Sequence, residues 1–433
     1  MIRCFLLIAF ITQIALCAPA APLDPMLGDP KLWTWSPTEF EAAAKGLGFE
    51  WVSASRDSAR STGPALKIFG QPVVEAVARF ESEKLKEITV AIYARGDAGD
   101  LGKDQYAALI SGTIKAVDSA TGLTFTPRGK DATNLVRADG VFWQTAQARY
   151  LLEYSSVKEV KSRSIPFRAE FVRMEITPPE KKRTLFEQAR TPQPAAALGS
   201  RSSPLQDRVK KRPNGDVLLE NVPMVDQGDK GYCVVASTER VVRYFGGQVD
   251  ANELAQIGNS TAEGGTSTTG MFTALKKVAP RLKVRVKQLE ETDVRGVLAL
   301  IKDYNRVAKK MDATEIDDPG RMIDVAGIYR LMQLDVLKAA RMSSRADAGK
   351  FQRQIQAQID GGVPLLWSVQ LGIVKEPGIP QNAGGHMRLI IGYNTEKKEL
   401  IFSDSWGAGH EEKRMPMDDA WTITTGLASI EPL

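Results

Sequence analysis

Proline decides how this chain can be organised. Residues 178–215 contain six prolines, at positions 178, 179, 192, 194, 204 and 213, and two basic KKR clusters, at 181–183 and 210–212. Each proline fixes its own φ and removes a backbone donor, so the stretch has little capacity for helix or sheet, and its few apolar residues bury little area. It is read as an exposed, protease-sensitive linker dividing the 433-residue chain into two folding units, 21–177 and 216–433. The linker also accounts for the charge. Nine Lys or Arg against three Asp or Glu give it a net +6, whereas the whole chain carries +5, so the flanking units together are close to neutral. A nucleic-acid face needs cations clustered on a folded surface beside base-reading elements, and none is indicated. The KKR clusters also suit processing that would separate a front pro-region from the back unit.

The first 20 residues read as a secretory signal: a basic Arg3, an apolar run over 4–17, and the small-residue site APA at 18–20. That run is too short for a spanning helix, and no other stretch approaches the roughly 18 to 20 apolar residues that one needs. The expectation is a secreted or periplasmic protein with no integral membrane association after signal removal. Of three cysteines, Cys4 and Cys17 leave with the signal and Cys233 stays. A lone thiol can be a small buried apolar residue, can pair with another chain, or can have chemical work to do.

The front unit, 21–177, mixes strand and helix signals. Residues 73–80, 85–93, 141–154 and 167–176 alternate or run β-branched as strands do, and 104–117 places Tyr106, Leu109, Ile110, Ile114 and Val117 on one helical stripe that stops before Gly122. This is an α+β pattern with no Cys, no His and no chemical motif. The back unit, 216–433, puts helices first: 233–245 closed by two glycines, 250–257 with Asp250 and Glu253 spaced as a capping box, 268–277, and a charged helical stretch from about 290 to 360. Its strands come late, at 363–371, 387–393 and 399–403, so it is also α+β, with two lobes that would frame a cleft.

A thiol attacks only as thiolate, and the positive end of a helix and a nearby imidazolium both favour that form. Cys233 opens an amphipathic helix, preceded by Gly231, which lets the chain turn sharply. The whole chain has two histidines. His386 follows the run NAGG and begins an apolar strand, whereas His410 sits in a glycine-rich acidic loop expected to be exposed, so His386 is the candidate partner. An imidazole needs a third group to set its tautomer and aim. Asp404 ends a strand 18 residues later, a spacing suited to two adjacent antiparallel strands, with Trp406 placed to cover the contact; taken alone, Asp404 would more often be a turn residue.

The run QGDKGYC at 227–233, Gly385 and His386 before an apolar strand, and DSWG at 404–407 resemble, in that order, the glutamine, cysteine, histidine and asparagine segments of papain-like cysteine peptidases. GYCVVAS followed by a helix is similar to the bacterial branch related to the double-glycine leader peptidases, the C39-like peptidases. The resemblance is confined to the back unit. It implies a papain-like two-lobed fold preceded by a separate α+β unit. Cys233 would be the nucleophile, His386 the base and then the acid, Asp404 the orienting residue, and Gln227 with the Cys233 N–H the oxyanion hole. Asp404 replaces the asparagine of papain proper, and Val234 replaces its tryptophan.

The expected activity is hydrolysis of peptide bonds in a peptide or protein substrate through an acyl-enzyme, without metal or cofactor. Zinc lacks ligands here, and there is no phosphate or calcium loop. An amidase or transglutaminase-like acyl transferase would use the same residues, and a binding protein on this fold is the non-enzymatic alternative. Substrate preference and oligomeric state are not legible.

Overall fold

The structure, a computed structural model, describes residues 21–128, 135–160, 162, 164–179, 205–228, 231–247, 249–320, 323–379 and 384–433. The stretch 1–20 expected to be a signal, and most of the expected linker, lie outside the described residues. Among the described residues no helix is long and apolar enough to cross a membrane.

In the front half, alternation of buried and exposed residues produces an eight-stranded antiparallel sheet. Its order is Glu50–Trp51, Ser58–Ser61, Glu75–Glu81, Lys84–Ala94, Arg168–Thr177, Arg149–Val157, Asp139–Gln144 and Thr126–Pro127. The helix Lys103–Thr121 lies against it and buries Tyr106, Thr113 and Val117; the chain leaves through Gly122 at φ 68°, a left-handed turn that a side chain would strain. Tyr106 keeps its buried hydroxyl satisfied by donating to the carbonyls of Ser155 at 2.7 Å and Phe171 at 3.0 Å. The stretch 141–154, read as one strand, is instead a hairpin. It breaks at 145–148, where the Thr145 hydroxyl accepts from the amides of Gln147 and Ala148 and closes the turn without glycine or proline.

The back half is built on a second eight-stranded sheet. Its main path runs Val209–Lys211, Asp216–Leu219, Gly384–Asn394, Leu365–Leu371, Thr424–Pro432 and Val284–Glu291, while Glu399–Ser403 adds to Gly384–Asn394 and carries Lys413–Pro416. Residues 205–215, assigned from sequence to the linker, thus begin the back half: Lys210 and Lys211 lie on a charged edge strand, which discourages pairing with other chains. Every residue of Leu365–Leu371 is buried, because the sheet is covered on both faces. One core joins Leu366, Met387 and Leu389 to the helices Cys233–Tyr244, Ala251–Ile257 and Thr268–Leu282; the other joins Trp367, Val369 and Ile390 to Arg345–Asp360. The helices Val294–Met311, Val325–Leu331 and Leu334–Met342 pack round a small core of their own.

Buried ion pairs connect the halves. Arg173 of the front sheet reaches Glu153 at 2.6 Å, Glu253 at 3.3 Å, and Asp250. Glu253 also accepts from the Leu135 N–H at 2.8 Å. Asp250 caps the helix Ala251–Ile257, accepting from the amides of Asn252 and Glu253, but the expected capping box is incomplete: the Glu253 carboxylate is drawn to the front half. Arg79 meets Glu239 on the Cys233–Tyr244 helix at 3.1 Å, and Arg60 meets Asp226 at 3.4 Å. Where the remaining member is buried with no second ion-pair partner among the described residues, as Glu253 would be without Arg173, such a loss typically costs about 3–5 kcal/mol. Gly96 allows the closest approach, since a Cβ there would lie 2.0 Å from the Tyr232 hydroxyl.

Candidate active site

Cys233 is the first residue of the helix Cys233–Tyr244, whose N-cap, Tyr232, contributes no side-chain cap. The first N–H groups of a helix lack intrahelical partners and point outward with the positive end of the dipole. Cys233 is a free thiol, half-buried. The chain reaches it through Gly231, where a Cβ would stand 2.5 Å from the Gly265 Cα, so this glycine lets the 259–267 loop close against the approach to the thiol.

His386 lies on the strand Gly384–Asn394, opposite Val369, and is 7% exposed. Asp404, fully buried, follows the strand Glu399–Ser403, which pairs antiparallel with that of His386. The hairpin brings the His386 Nε2 to 2.6 Å from the Asp404 Oδ1. Because Nε2 is committed to the carboxylate, the ring nitrogen left for another partner is Nδ1, and Cys233 is the second group, after Asp404, that favours the protonated ring. Trp406 stacks on His386, with centroids 4.3 Å apart and planes 3° from parallel, walling one face of the imidazole.

Burial pushes the His386 imidazolium down, but the hydrogen bond and charge of Asp404, and then those of Cys233, outweigh it, and the ring is pushed up to about 9. Burial likewise pushes Asp404 up; the hydrogen bond and charge of His386, then Arg388 and the Ser405 N–H, overcome this and hold it below its ordinary value. Opposite charges at hydrogen-bond distance thus win over desolvation at both residues.

Gln227, 7% exposed, is anchored through backbone and side chain to the segment after Asp404. Its N–H donates to the Ser405 carbonyl at 2.8 Å, and its Oε1 accepts from the Ser405 hydroxyl at 2.5 Å, which makes Nε2 the donor end of the amide. The structure therefore brings Cys233, His386 and Asp404 together and ties Gln227 to the same loop.

His410 differs from its expected exposed position. It is half-buried, its ring edge meets Trp406 at 5.8 Å and 77°, and its carbonyl accepts from the Asp404 N–H at 2.9 Å. Its ring is held below the usual histidine range by burial first and then by Lys413, so it supports the loop as a neutral group. Sequence reasoning missed Arg388, Ser405 and Arg240. Arg388 donates from Nε to the Asp404 Oδ2 at 2.8 Å, and Arg240 donates to the Asp404 carbonyl at 3.0 Å. For Arg388 a signal existed: a cation two residues after His386 shares its face of the strand, in a run otherwise apolar.

Residues 300–429 match the model of the Peptidase C39 like family, a span that contains His386 and Asp404 and begins after Gln227 and Cys233. The expected resemblance to the C39-like peptidases is thus shown over that span. Among solved structures, the peptidase domain of Streptococcus ComA, described as a bifunctional ABC transporter involved in a quorum-sensing pathway, is similar at 14% identity; the match covers 49% of this chain and 100% of that one, with a TM-score of 0.24. Xylellain, a cysteine protease from Xylella fastidiosa, is similar at 14% identity over 54% of this chain and 91% of its own, with a TM-score of 0.22. No curated protein matches.

Proposed function

We propose that this protein is an exported cysteine peptidase, secreted or periplasmic, that hydrolyses peptide bonds through Cys233, His386 and Asp404. One observation carries the reading: an imidazole is held at 2.6 Å through Nε2 by a buried carboxylate, and the lone thiol, at a helix N-terminus, acts on the same ring. That arrangement suits a thiolate–imidazolium pair, the form in which sulfur is nucleophilic.

The Cys233 sulfur attacks the scissile carbonyl carbon, and the Cys233 N–H with the Gln227 Nε2 donates to the resulting oxyanion. Losing one such donor typically costs about 10²- to 10³-fold in turnover. The His386 Nδ1 proton passes to the leaving amine as the C–N bond breaks, which leaves a thioester. Water then attacks, giving a proton to Nδ1, and the C–S bond breaks to release the acid and regenerate the thiol. Asp404 accepts from Nε2 throughout and fixes the tautomer. The front half holds the nucleophile-bearing segment through Arg60, Arg79 and Arg173, which favours a lasting structural partner over a detachable pro-region.

The test is mass spectrometry of a peptide library incubated with the purified protein and with its Cys233→Ala variant. New amino termini that depend on Cys233 are expected. Cleavage surviving in the variant would overturn the reading, and isopeptide or amine-modified products in place of new termini would assign acyl transfer instead.

A further inference from the structure

We propose that Arg388 and Glu376 extend the Cys233, His386 and Asp404 array as positioning residues, Arg388 orienting the Asp404 carboxylate and Glu376 setting how much of that cation's field reaches His386. The proposal rests on the peptidase reading above. Arg388 is completely buried. Its Nε donates to the Asp404 Oδ2 at 2.8 Å while the other carboxylate oxygen holds His386, so the carboxylate is clamped from both sides in one orientation. Its Nη1 donates to both Glu376 oxygens, at 3.1 and 3.0 Å. The guanidinium carbon sits 4.7 Å from the Phe402 ring centroid, and Nη2 has no hydrogen-bond partner among the described residues.

A cation buried with an unmet donor is a poor stabiliser; an apolar residue of similar volume would usually serve as well or better in such a place. Its position explains its presence. His386 and Arg388 share one strand face, so both touch one carboxylate, and the guanidinium draws on the same negative charge that favours the imidazolium. Unopposed, Arg388 would weaken Asp404's hold on the proton; Glu376 neutralises part of it. Other charged or titratable groups facing the array among the described residues are Cys233 and Arg240 from the helix Cys233–Tyr244 and His410 across Trp406, with Glu411 acting on Arg240 and His410, and Lys413 and Asp226 on His410. The result is an imidazolium stable enough to persist beside a thiolate, yet acidic enough to protonate a leaving amine.

The test uses the full chain and the fact that it has two histidines. Proton–carbon NMR of the imidazole Cε1–H groups, assigned with His410→Gln, gives the His386 titration without any substrate. Glu376→Gln is expected to lower the His386 midpoint and Arg388→Gln to raise it, each by on the order of half a pH unit, since both charges reach the ring through the Asp404 carboxylate and not by direct contact. Arg388→Lys keeps the cation but not the planar fork; it should hold the midpoint near wild type while peptide turnover falls about tenfold or more from lost orientation. Opposite shifts are something a packing role would not produce. Glu376→Gln, nearer the surface, decides the matter if the Arg388 variants fail to fold. An unmoved midpoint, or movement in the same direction for both charge-removing variants, overturns the proposal and leaves the peptidase reading standing. A wild-type His386 that titrates as an ordinary histidine overturns the proposal as well, whereas the peptidase reading falls only if cleavage survives in Cys233→Ala.

Discussion

Asparagine at position 404 separates the two duties of that side chain, aim and charge. Asp404→Asn keeps an oxygen that can accept from the His386 Nε2 but removes the negative charge that, against burial, helps push the imidazolium up to about 9 from the ordinary 6.5. The distance between those values corresponds to about 3 kcal/mol favouring the protonated ring, at roughly 1.36 kcal/mol per pH unit. With the charge gone, the midpoint should return to about 6.5 or lower, since burial then acts with less opposition. At pH 7.5 the imidazolium would drop from nearly full occupancy to about one-tenth or less, whereas at pH 6 most of it would remain. The assay is kcat/KM on a cleaved peptide between pH 5 and 10. The variant should lose about tenfold or more at pH 7.5, much less at pH 6, and its alkaline limb should move down by about two and a half units. Asp404→Ala, which loses aim as well, should lose activity at every pH. A uniform loss in Asp404→Asn, with the alkaline limb still near 9, would refute the electrostatic reasoning.

Other outcomes rest on the geometry. Gly96→Ala puts a Cβ 2.0 Å from the Tyr232 hydroxyl, so the residue preceding Cys233 must shift; denaturant unfolding should show a loss of about 1–3 kcal/mol, with slower turnover even where the variant is fully folded. Arg173→Met takes the arginine from Glu253, 6% exposed, and from Asp250, while Glu153 keeps its ion pair with Arg128; about 3–5 kcal/mol of stability should be lost, read from the urea midpoint. Burial already pushes Glu253 up to about 7 despite Arg173. An acid whose folded value is raised costs stability as pH climbs from its unfolded value through the folded one, so Glu253→Gln should raise Tm at pH 8 more than at pH 5. Trp406→Ala removes the wall stacked on His386; kcat should fall on the order of 10²-fold, with much of it restored in Trp406→Phe.

Scarcity made the centre of the site readable: two histidines and one cysteine beyond the first 20 residues left few pairings, and the spacing of Asp404 from His386 matches the hairpin that joins their strands. Arg388 escaped because its partners lie 12 residues before it and 16 after it, and no periodicity marks such an ion pair. The attachment of the front half escaped for the same reason, since Arg60, Arg79 and Arg173 read as the polar positions of alternating strands. The turn at 145–148 carries a threonine hydroxyl in place of glycine or proline, so two strands read as one. The edge strand Val209–Lys211 was hidden by its lysines, which announce solvent whether a segment is loose or paired at a sheet edge.

The most direct measurement is intact mass after acid quench during turnover of a peptide or activated ester. A Cys233 nucleophile predicts a transient adduct, equal in mass to the acyl portion of the substrate, mapped to Cys233 and absent from Cys233→Ala. Turnover with no adduct on Cys233, or with the adduct on another residue, would contradict it.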